Sequence, residues 1–515
     1  MTVSGQAPTQ AIPGLFLGFS TEFTTLPLVE KHAVEWERVL GNVSALPQMA
    51  LRIGGDSAEH VRFEPIAAPW AFSPTKKLVD DTARVMSESK LQLIIDINTV
   101  SSTQQEASAW MRDLWNRLYN VLHGGIVAFE IGNEPDIYDP GAWRRGIGIE
   151  GNAPDNPAGV APADLPKEIT ATSFAKSFQA YARALQTAVP KVPVIAPAVA
   201  EATDHLGWIK TLLRHRTKNL KVISAHIYPY SACANPGDAK YPTIQKILSE
   251  NATAGMARTV APAIRVAHGA RLGLRLTEIN SVTCGGLEGV SNTFATALWA
   301  PDALFELMRA GVEGVNLHAR VTSINRPFSF DEQGLETRPL LYGLILFDRM
   351  LGGGSDRLVP VQLRTGARSL HLKVWAVRAM ASEGAGQGTP FFTRNPLKLL
   401  MINKGRRSAL IHLHLPTSSR AFVERLLARS AASTSGVTLG GEQLNHQAEW
   451  QGKHGPASVL PGSENLETLS PTRNGSYVVR VRGESAALLT VPVAASTLAG
   501  TPQQAAGPAP LFGYS

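Results

Sequence analysis

The amino-acid sequence predicts a (β/α)₈ barrel with a C-terminal antiparallel β-sandwich, and three observations lead to this prediction. The chain has 515 residues, more than one hydrophobic core usually spans, so we expect two domains. Residues 14–354 alternate short apolar runs with amphipathic segments, as repeated strand and helix units do. Residues 355–515 instead carry short β-type runs between Gly, Ser and Pro clusters, which is typical of a sandwich. Residues 1–13 are candidates to complete that sandwich.

Eight apolar runs are the predicted barrel strands. They are residues 15–19, 49–53, 91–97, 126–131, 192–196, 222–225, 272–276 and 314–317. A helix is predicted over 106–123, because Trp110, Leu114 and Leu118 belong to a series of apolar residues spaced by three and four. Residues 141–166 are rich in Gly, Pro, Ala and Asp without periodicity, which predicts a long loop on the catalytic face.

The runs of the predicted sandwich lack helices of comparable strength between them. They are residues 370–377, 397–402, 409–415, 477–481 and 486–491. Short strands at this spacing, bounded by turn residues, pair with one another as antiparallel sheets.

Composition and charge exclude several functional classes. The sequence is 44% hydrophobic and 18% charged with a net charge of +7, as in an ordinary globular protein. No apolar run approaches the roughly 20 residues of a membrane span. We expect no metal and no cofactor, because zinc-type Cys/His spacing, a P-loop and a dinucleotide fingerprint are all missing. Nor do basic and aromatic residues form the stripe that nucleic-acid binding would need.

The N-terminus lacks a basic patch followed by an apolar stretch, so no export signal is visible. The protein is therefore expected to be secreted or periplasmic with its signal already removed, or else cytoplasmic.

Two carboxylic acids occupy the ends of predicted barrel strands. Glu134 lies three residues past the fourth strand, between Asn133 and Pro135, and Glu278 follows the seventh strand. Active sites of such barrels lie where the strands end, so both side chains should point into the same mouth. A pair of carboxyls in one site is what the hydrolysis of a glycosidic bond requires.

The segments around these residues resemble the clan of retaining TIM-barrel glycosidases. That resemblance implies that Glu134 is the general acid/base and Glu278 the nucleophile. It also implies that Asn133 binds the 2-hydroxyl of the sugar, and that Arg52, at the end of strand two, lies beside the nucleophile and helps to keep it ionised.

More narrowly, the chain resembles the heparanase and β-glucuronidase family over nearly its full length. The matching segments are residues 18–23, 51–57, 131–135, 226–229, 277–286 and 483–489. The resemblance implies a glycan or glycoside containing glucuronic acid as the substrate. It places backbone N–H groups of Gly285 and Gly286 on the uronic acid carboxylate, and Glu22 on a ring hydroxyl. Tyr228 would lie near the nucleophile, either as a sugar contact or as a core aromatic with a satisfied hydroxyl.

One departure from that family concerns the segment after strand eight. The family often has a tyrosine there that helps to hold the carboxylate, whereas residues 316–330 contain none and offer His318, Arg320 and Arg326. Arg320 could bind the carboxylate through a bidentate fork, or could pair with an acidic neighbour on the loop.

The alternatives are another retaining enzyme of the same clan, such as a xylanase or arabinofuranosidase, and a carbohydrate-binding relative without activity. The presence of both carboxylic acids argues against the second. The sequence leaves open the oligomeric state, and also whether cleavage occurs at chain ends or within a polysaccharide.

The two cysteines, Cys233 and Cys284, are predicted to form a disulfide. Each follows a barrel strand by a short interval, and strands six and seven are neighbours, so the two loops should emerge side by side. The alternative is a pair of free thiols in a reducing cytoplasm.

Overall fold

The computed structural model confirms the predicted barrel. It describes residues 2–3, 10–43, 49–64, 66, 68–122, 125–145, 161–352, 356–363, 371–379, 396–415, 417, 419–452 and 467–493. Eight parallel strands pair in chain order and close on themselves. They are Leu17–Glu22, Met49–Gly54, Leu91–Ile97, Ile126–Ile131, Val194–Val199, Leu220–Ile227, Gly273–Ile279 and Gly314–His318.

Polar residues lengthen several barrel strands beyond the apolar runs that predicted them. The first strand continues through Ser20 and Thr21 to Glu22, and all three are buried. The seventh strand continues to Ile279, so the prediction that Glu278 follows this strand was wrong, since the residue lies within it. Side chains at the mouth hydrogen-bond to one another there, so the strands can continue without apolar residues.

Helices surround the barrel. The α-helices are Leu26–Lys31, Ala33–Val43, Lys76–Glu88, Gln104–Leu122, Pro140–Arg145, Ala171–Ala188, Leu206–Arg214, Ile244–Ile247, Ala254–Gly269, Phe294–Ala310 and Pro339–Arg349, and the 3₁₀ helices are Phe23–Thr25, Gly55–His60 and Glu250–Ala252. The helix predicted over 106–123 is present, with Leu114 and Leu118 buried against the barrel. Of the predicted loop 141–166, residues 141–145 belong to a helix, and 146–160 lie outside the described residues.

The C-terminal region forms two largely antiparallel sheets with a separate apolar core between them. The larger sheet contains Gln10–Ala11, Arg357–Val359, Leu372–Arg378, Leu397–Asn403, Ser485–Val491, Ala421–Leu427, Thr438–Leu439 and Glu467–Leu469; the smaller contains Val361–Gln362, Thr2–Val3, Ala409–His414 and Ser476–Val481. N-terminal residues thus supply one strand to each sheet. The sequence did not predict Ala421–Leu427, in which Glu424 and Arg425 interrupt the apolar run.

A buried ion pair joins the barrel to the sandwich. Asp302, on the barrel helix Phe294–Ala310, lies 2.5 Å from the ammonium of Lys404 and accepts a hydrogen bond of 2.9 Å from the indole of Trp375. Burial alone would raise the pKa of Asp302, but the charges of Lys404 and Lys373 outweigh it and lower that pKa. Removing either partner would therefore leave an uncompensated charge between the two parts of the chain.

No helix among the described residues is both long and apolar enough to cross a membrane.

Candidate active site

The fold brings Glu134 and Glu278 together at the carboxyl ends of the barrel strands. One oxygen of each carboxyl and one ring nitrogen of His226 all lie within 4.8 Å of one another. Glu278 is 7% exposed, whereas Glu134 is more open to the mouth.

A tight turn after the fourth strand presents Glu134. Gly132 has a φ of +81° and Glu134 a φ of +41°, both in the left-handed region. The amide of Glu134 donates a 3.0 Å hydrogen bond to the carbonyl of Ala198, within the fifth strand. Such backbone conformations are unfavourable for a residue with a Cβ, and they are typical of functional positions.

Arg52 is fully buried beneath the site and contacts three carboxylates. Its guanidinium lies 3.0 Å from Glu278, 2.6 Å from Glu130 and 2.9 Å from Asp96. It also donates a 2.8 Å hydrogen bond to the side-chain oxygen of Asn133. Its carboxylate neighbours raise the pKa of Arg52 despite its burial, so the guanidinium is charged at every pH of interest. Arg52 therefore fixes both the nucleophile candidate and the amide of Asn133.

Glu278 has a second set of partners on its other oxygen. The hydroxyl of Tyr228 donates a 2.6 Å hydrogen bond to Oε1, and Nδ1 of His318 lies 3.4 Å from the same oxygen. Burial would raise the pKa of Glu278, but His318, His226 and Arg52 together lower it to about 2. The carboxylate is therefore ionised and oriented from two sides, as a nucleophile must be.

His226 is the partner of Glu134. Its Nδ1 lies 2.8 Å from Oε1 of Glu134, and the ring is completely buried. Burial lowers the pKa of His226, but Glu278 and Glu134 outweigh that effect and raise it. The charged form of His226 is therefore favoured in contact with the carboxyl of Glu134.

Glu22 lies at the end of the first strand behind His318. It is 2% exposed, accepts a 2.8 Å hydrogen bond from the amide of Ser57, and lies 3.4 Å from Nε2 of His318. Burial would raise the pKa of Glu22, but His318 and Arg320 outweigh it and lower the pKa. Gly55 is required here, because a Cβ at that position would lie 2.3 Å from the carboxylate of Glu22.

The two arginines after strand eight have acidic partners. Arg320 lies 3.1 Å from Asp56, and Arg326 lies 2.9 Å from Glu336. The alternative of an acidic neighbour for Arg320 is therefore realised, with the neighbour on the segment after strand two. Among His318, Arg320 and Arg326, the described ion pairs connect His318 to Glu278.

The glycine pair lies in a turn after the seventh strand. Gly285 has a φ of +75° and Gly286 a φ of +88°. The amide of Gly286 donates to the carbonyl of Thr283 at 3.4 Å, so in this conformation that N–H closes the turn. The disulfide between Cys233 and Cys284 is present, with the two Cα atoms 5.9 Å apart, and it joins the turn to the loop after strand six.

Sequence reasoning did not single out His226 and Asp56, although both lie in segments that carried the family resemblance. His226 ends the apolar run of strand six, where a polar residue facing the mouth was the available signal. Asp56 lies two residues past the end of strand two, in Gly55–His60. Glu130 and Asp96 were missed because each lies inside an apolar strand.

Among the described residues, one group of side chains could hold a metal ion. Glu134, His226 and Glu278 offer one ligand atom each. The positive charge of Arg52, 3.0 Å from Glu278, would repel a cation there. The arrangement of hydrogen bonds fits a pair of catalytic carboxyls better than it fits a metal centre.

Comparison with known proteins supports a site that acts on glycosidic bonds. No known family profile matches the chain. A β-glucuronidase of Aspergillus niger is 23% identical over 398 residues, which are 72% of this chain and 68% of that protein.

Solved structures share the architecture over nearly the whole chain. A 4-O-α-L-rhamnosyl-β-D-glucuronidase from Fusarium oxysporum 12S has a TM-score of 0.67 at 17% identity, covering 95% of this chain and 100% of its own. An α-L-arabinofuranosidase from Thermotoga maritima has a TM-score of 0.63 at 14% identity, covering 96% and 99%. The resemblance to TIM-barrel glycosidases is confirmed at the level of the fold, and sequence and fold together support a glycoside hydrolase.

Proposed function

We propose that this protein is a retaining glycoside hydrolase that removes β-linked glucuronic acid by double displacement. The observation that carries the proposal is the proximity of Glu134 and Glu278, which have carboxyl oxygens within 4.8 Å of each other. Retaining glycosidases hold their two carboxyls about 5 to 5.5 Å apart, whereas inverting enzymes leave about 6.5 to 9.5 Å for a water molecule. The spacing therefore favours direct attack by a carboxylate.

In the first step Glu278 attacks the anomeric carbon. Arg52 and Tyr228 hold its two oxygens, so the carboxylate is ionised and aimed without rearrangement. Glu134 gives its proton to the glycosidic oxygen as the carbon–oxygen bond breaks, and the aglycone leaves as an alcohol. The sugar remains bound to Glu278 as an ester.

In the second step the roles of the carboxyls change. Glu134, now ionised, takes a proton from a water molecule whose oxygen attacks the anomeric carbon. The ester bond to Glu278 breaks, the sugar leaves with its original anomeric configuration, and Glu134 is protonated again. His226, 2.8 Å from Glu134, stabilises that carboxyl in its ionised state.

Two observations support glucuronic acid as the sugar. A relative with detectable sequence similarity, from Aspergillus niger, is a β-glucuronidase. His318 and Arg320 also place positive charge at the mouth, where a uronic acid carboxylate would otherwise meet several acidic side chains. The arabinofuranosidase fold is nearly as similar, with a TM-score of 0.63 against 0.67, so pentosides are the competing substrates.

A mechanism-based label tests the reaction. A 2-fluoro-glucuronide or a cyclophellitol-type uronic acid should attach to Glu278, and peptide mapping should find it there. The Glu278→Gln variant should bind the same compound without labelling and should keep the thermal midpoint of the wild type. Attachment at another carboxylate would refute the assignment.

Substrate identity needs a separate assay. Glucuronide, glucoside, xyloside and arabinofuranoside with the same chromogenic aglycone should be compared by kcat/KM. A site built for an anion leaves charged groups unpaired when the anion is missing. The glucuronide should therefore be cleaved at least about 100-fold faster than the glucoside. Equal rates, or a faster pentoside, would remove the glucuronidase assignment and retain the hydrolase.

A further inference from the structure

The ion pair of Asp56 and Arg320 closes one side of the barrel mouth. We propose that this pair is the end wall of a pocket that holds one terminal sugar, so that the enzyme acts only at the non-reducing ends of chains. The inference rests on the proposed function, because it uses Glu134 and Glu278 to orient the substrate. The new element is the position of the glycosidic bonds that the site can cleave within a chain.

The closed barrel fixes the direction of the substrate. Glu134 follows strand four, and the leaving oxygen must lie beside it to receive a proton. Strands four and eight lie on opposite sides of a barrel whose eight strands pair in chain order. The sugar that reacts with Glu278 must therefore extend away from the aglycone, towards strands eight, one and two.

That side of the mouth is where the ion pair lies. Arg320 comes two residues after strand eight ends at His318, and Asp56 comes two residues after strand two ends at Gly54. Strand one lies between these two strands in the barrel. The 3.1 Å contact between Arg320 and Asp56 therefore crosses the end of strand one, in front of the buried Glu22.

Both halves of the wall are anchored to strand one and the segment after it. On the strand-eight side, the amide of Ala319 donates a 2.8 Å hydrogen bond to the carbonyl of Ser20. On the strand-two side, the amide of Ser57 donates to Glu22 at 2.8 Å, and the hydroxyl of Ser57 accepts from the amide of Phe23 at 2.9 Å. Neighbours of both Asp56 and Arg320 are thus held by the same element, which fixes the backbone on both sides of the pair.

The side chains of the pair are only partly open to solvent, 18% exposed for Arg320 and 33% for Asp56. Glu22 and His318 lie between the pair and the nucleophile, with the 3.4 Å contact between them. A sugar over Glu278 therefore meets these four side chains at its far end. A further sugar attached to that end would occupy the space of the wall.

The test compares two fluorogenic glucuronides that differ only at the 4-hydroxyl, free in one and carrying a further sugar in the other. We expect the wild type to cleave the capped compound about 100-fold more slowly, because the wall displaces its reacting carbon. In a labelled oligosaccharide it should release single residues from the non-reducing end. The double variant Asp56→Ala/Arg320→Ala should raise the capped-to-free ratio of kcat/KM about tenfold.

Arg326→Ala is the matched control, since Arg326 lies on the same loop and forms a comparable pair with Glu336. This variant should keep the wild-type ratio, and thermal midpoints should establish that all variants are folded. Similar rates on both compounds in the wild type would overturn the inference while leaving the hydrolase intact. So would an unchanged ratio in the folded double variant. Hydrolysis of neither compound, together with activity on a pentoside, would overturn the glucuronidase assignment instead.

Discussion

His318 provides the sharpest test of how Glu278, the proposed nucleophile, is kept ionised. The substitution His318→Gln removes a positive charge 3.4 Å from Oε1 of Glu278 and keeps a side chain that can hydrogen-bond to Tyr228. Burial lowers the pKa of His318, but the charges of Glu278 and Glu22 outweigh it and raise that pKa. The imidazolium thus persists to higher pH than that of a free histidine, and its removal should raise the pKa of Glu278.

The size of the effect follows from the distance. At 3.4 Å two unit charges interact by about 1 kcal/mol in water and about 5 kcal/mol at an effective dielectric constant of 20. His318 is 15% exposed, so the true value lies between these limits. The corresponding rise in the pKa of Glu278 is about 1 to about 4 units. Starting from a pKa of about 2, the variant nucleophile should titrate between about pH 3 and about pH 6.

The assay is the pH profile of kcat/KM, which reports ionisations of the free enzyme. A lowered pKa means that Glu278 loses its charge only in strong acid, so the wild type should show no limb from this residue above about pH 4. His318→Gln should acquire an acid limb, since activity falls as pH drops through the raised pKa. His268→Gln is the control. His268 lies 3.8 Å from the carboxylate of Glu313, and this pair is far from the mouth of the barrel. Superimposable acid limbs in wild type and His318→Gln would refute the electrostatic argument.

Three further outcomes are expected. Glu134→Ala should slow natural glycosides far more than activated aryl glycosides, and azide should rescue the second step; uniform loss would contradict an acid/base role. Titration of the denatured, unreduced protein should find no free thiol, and reducing Cys233–Cys284 should lower the free energy of unfolding by about 4 kcal/mol; two free thiols would refute the bridge. Lys404→Met should lower that free energy by about 3 to 5 kcal/mol, because the buried Asp302 loses its ion-pair partner, and an unchanged urea midpoint would argue against this.

The barrel could be predicted because its strands are buried on both faces and therefore appear as short apolar runs. The third and fourth strands, Leu91–Ile97 and Ile126–Ile131, match their predicted limits. Strands that end in the active site were cut short, because their last residues are polar and apolar patterning does not register them. Glu22 is the clearest case, since a buried carboxylate at a strand end reads as a loop residue.

The same principle divides the site into a predictable and an unpredictable part. Glu134 and Glu278 could be located because they are carboxylic acids at or just beyond the ends of predicted strands, where the mouth of a barrel lies, and Arg52 could be located through the family resemblance. The pairing of Arg320 with Asp56 could not, because it depends on the heights of two loops that are far apart in sequence. The closed barrel determines which side chains meet across the mouth. The sequence around Asp56 therefore does not predict Arg320 as its partner, nor the reverse.

The buried network around Arg52 shifts the pKa values of two of its carboxyls in opposite directions. Arg52 faces three carboxyls, those of Asp96, Glu130 and Glu278, and one guanidinium cannot neutralise them all. Burial raises the pKa of Asp96 well above its usual range, with Glu130 adding to the effect and Arg52 opposing it. The pKa of Glu278 moves in the opposite direction, because His318, His226 and Arg52 favour its charged form. Burial therefore favours the neutral form of Asp96, deep in the barrel, whereas the surrounding positive charges favour the charged form of Glu278 at the mouth.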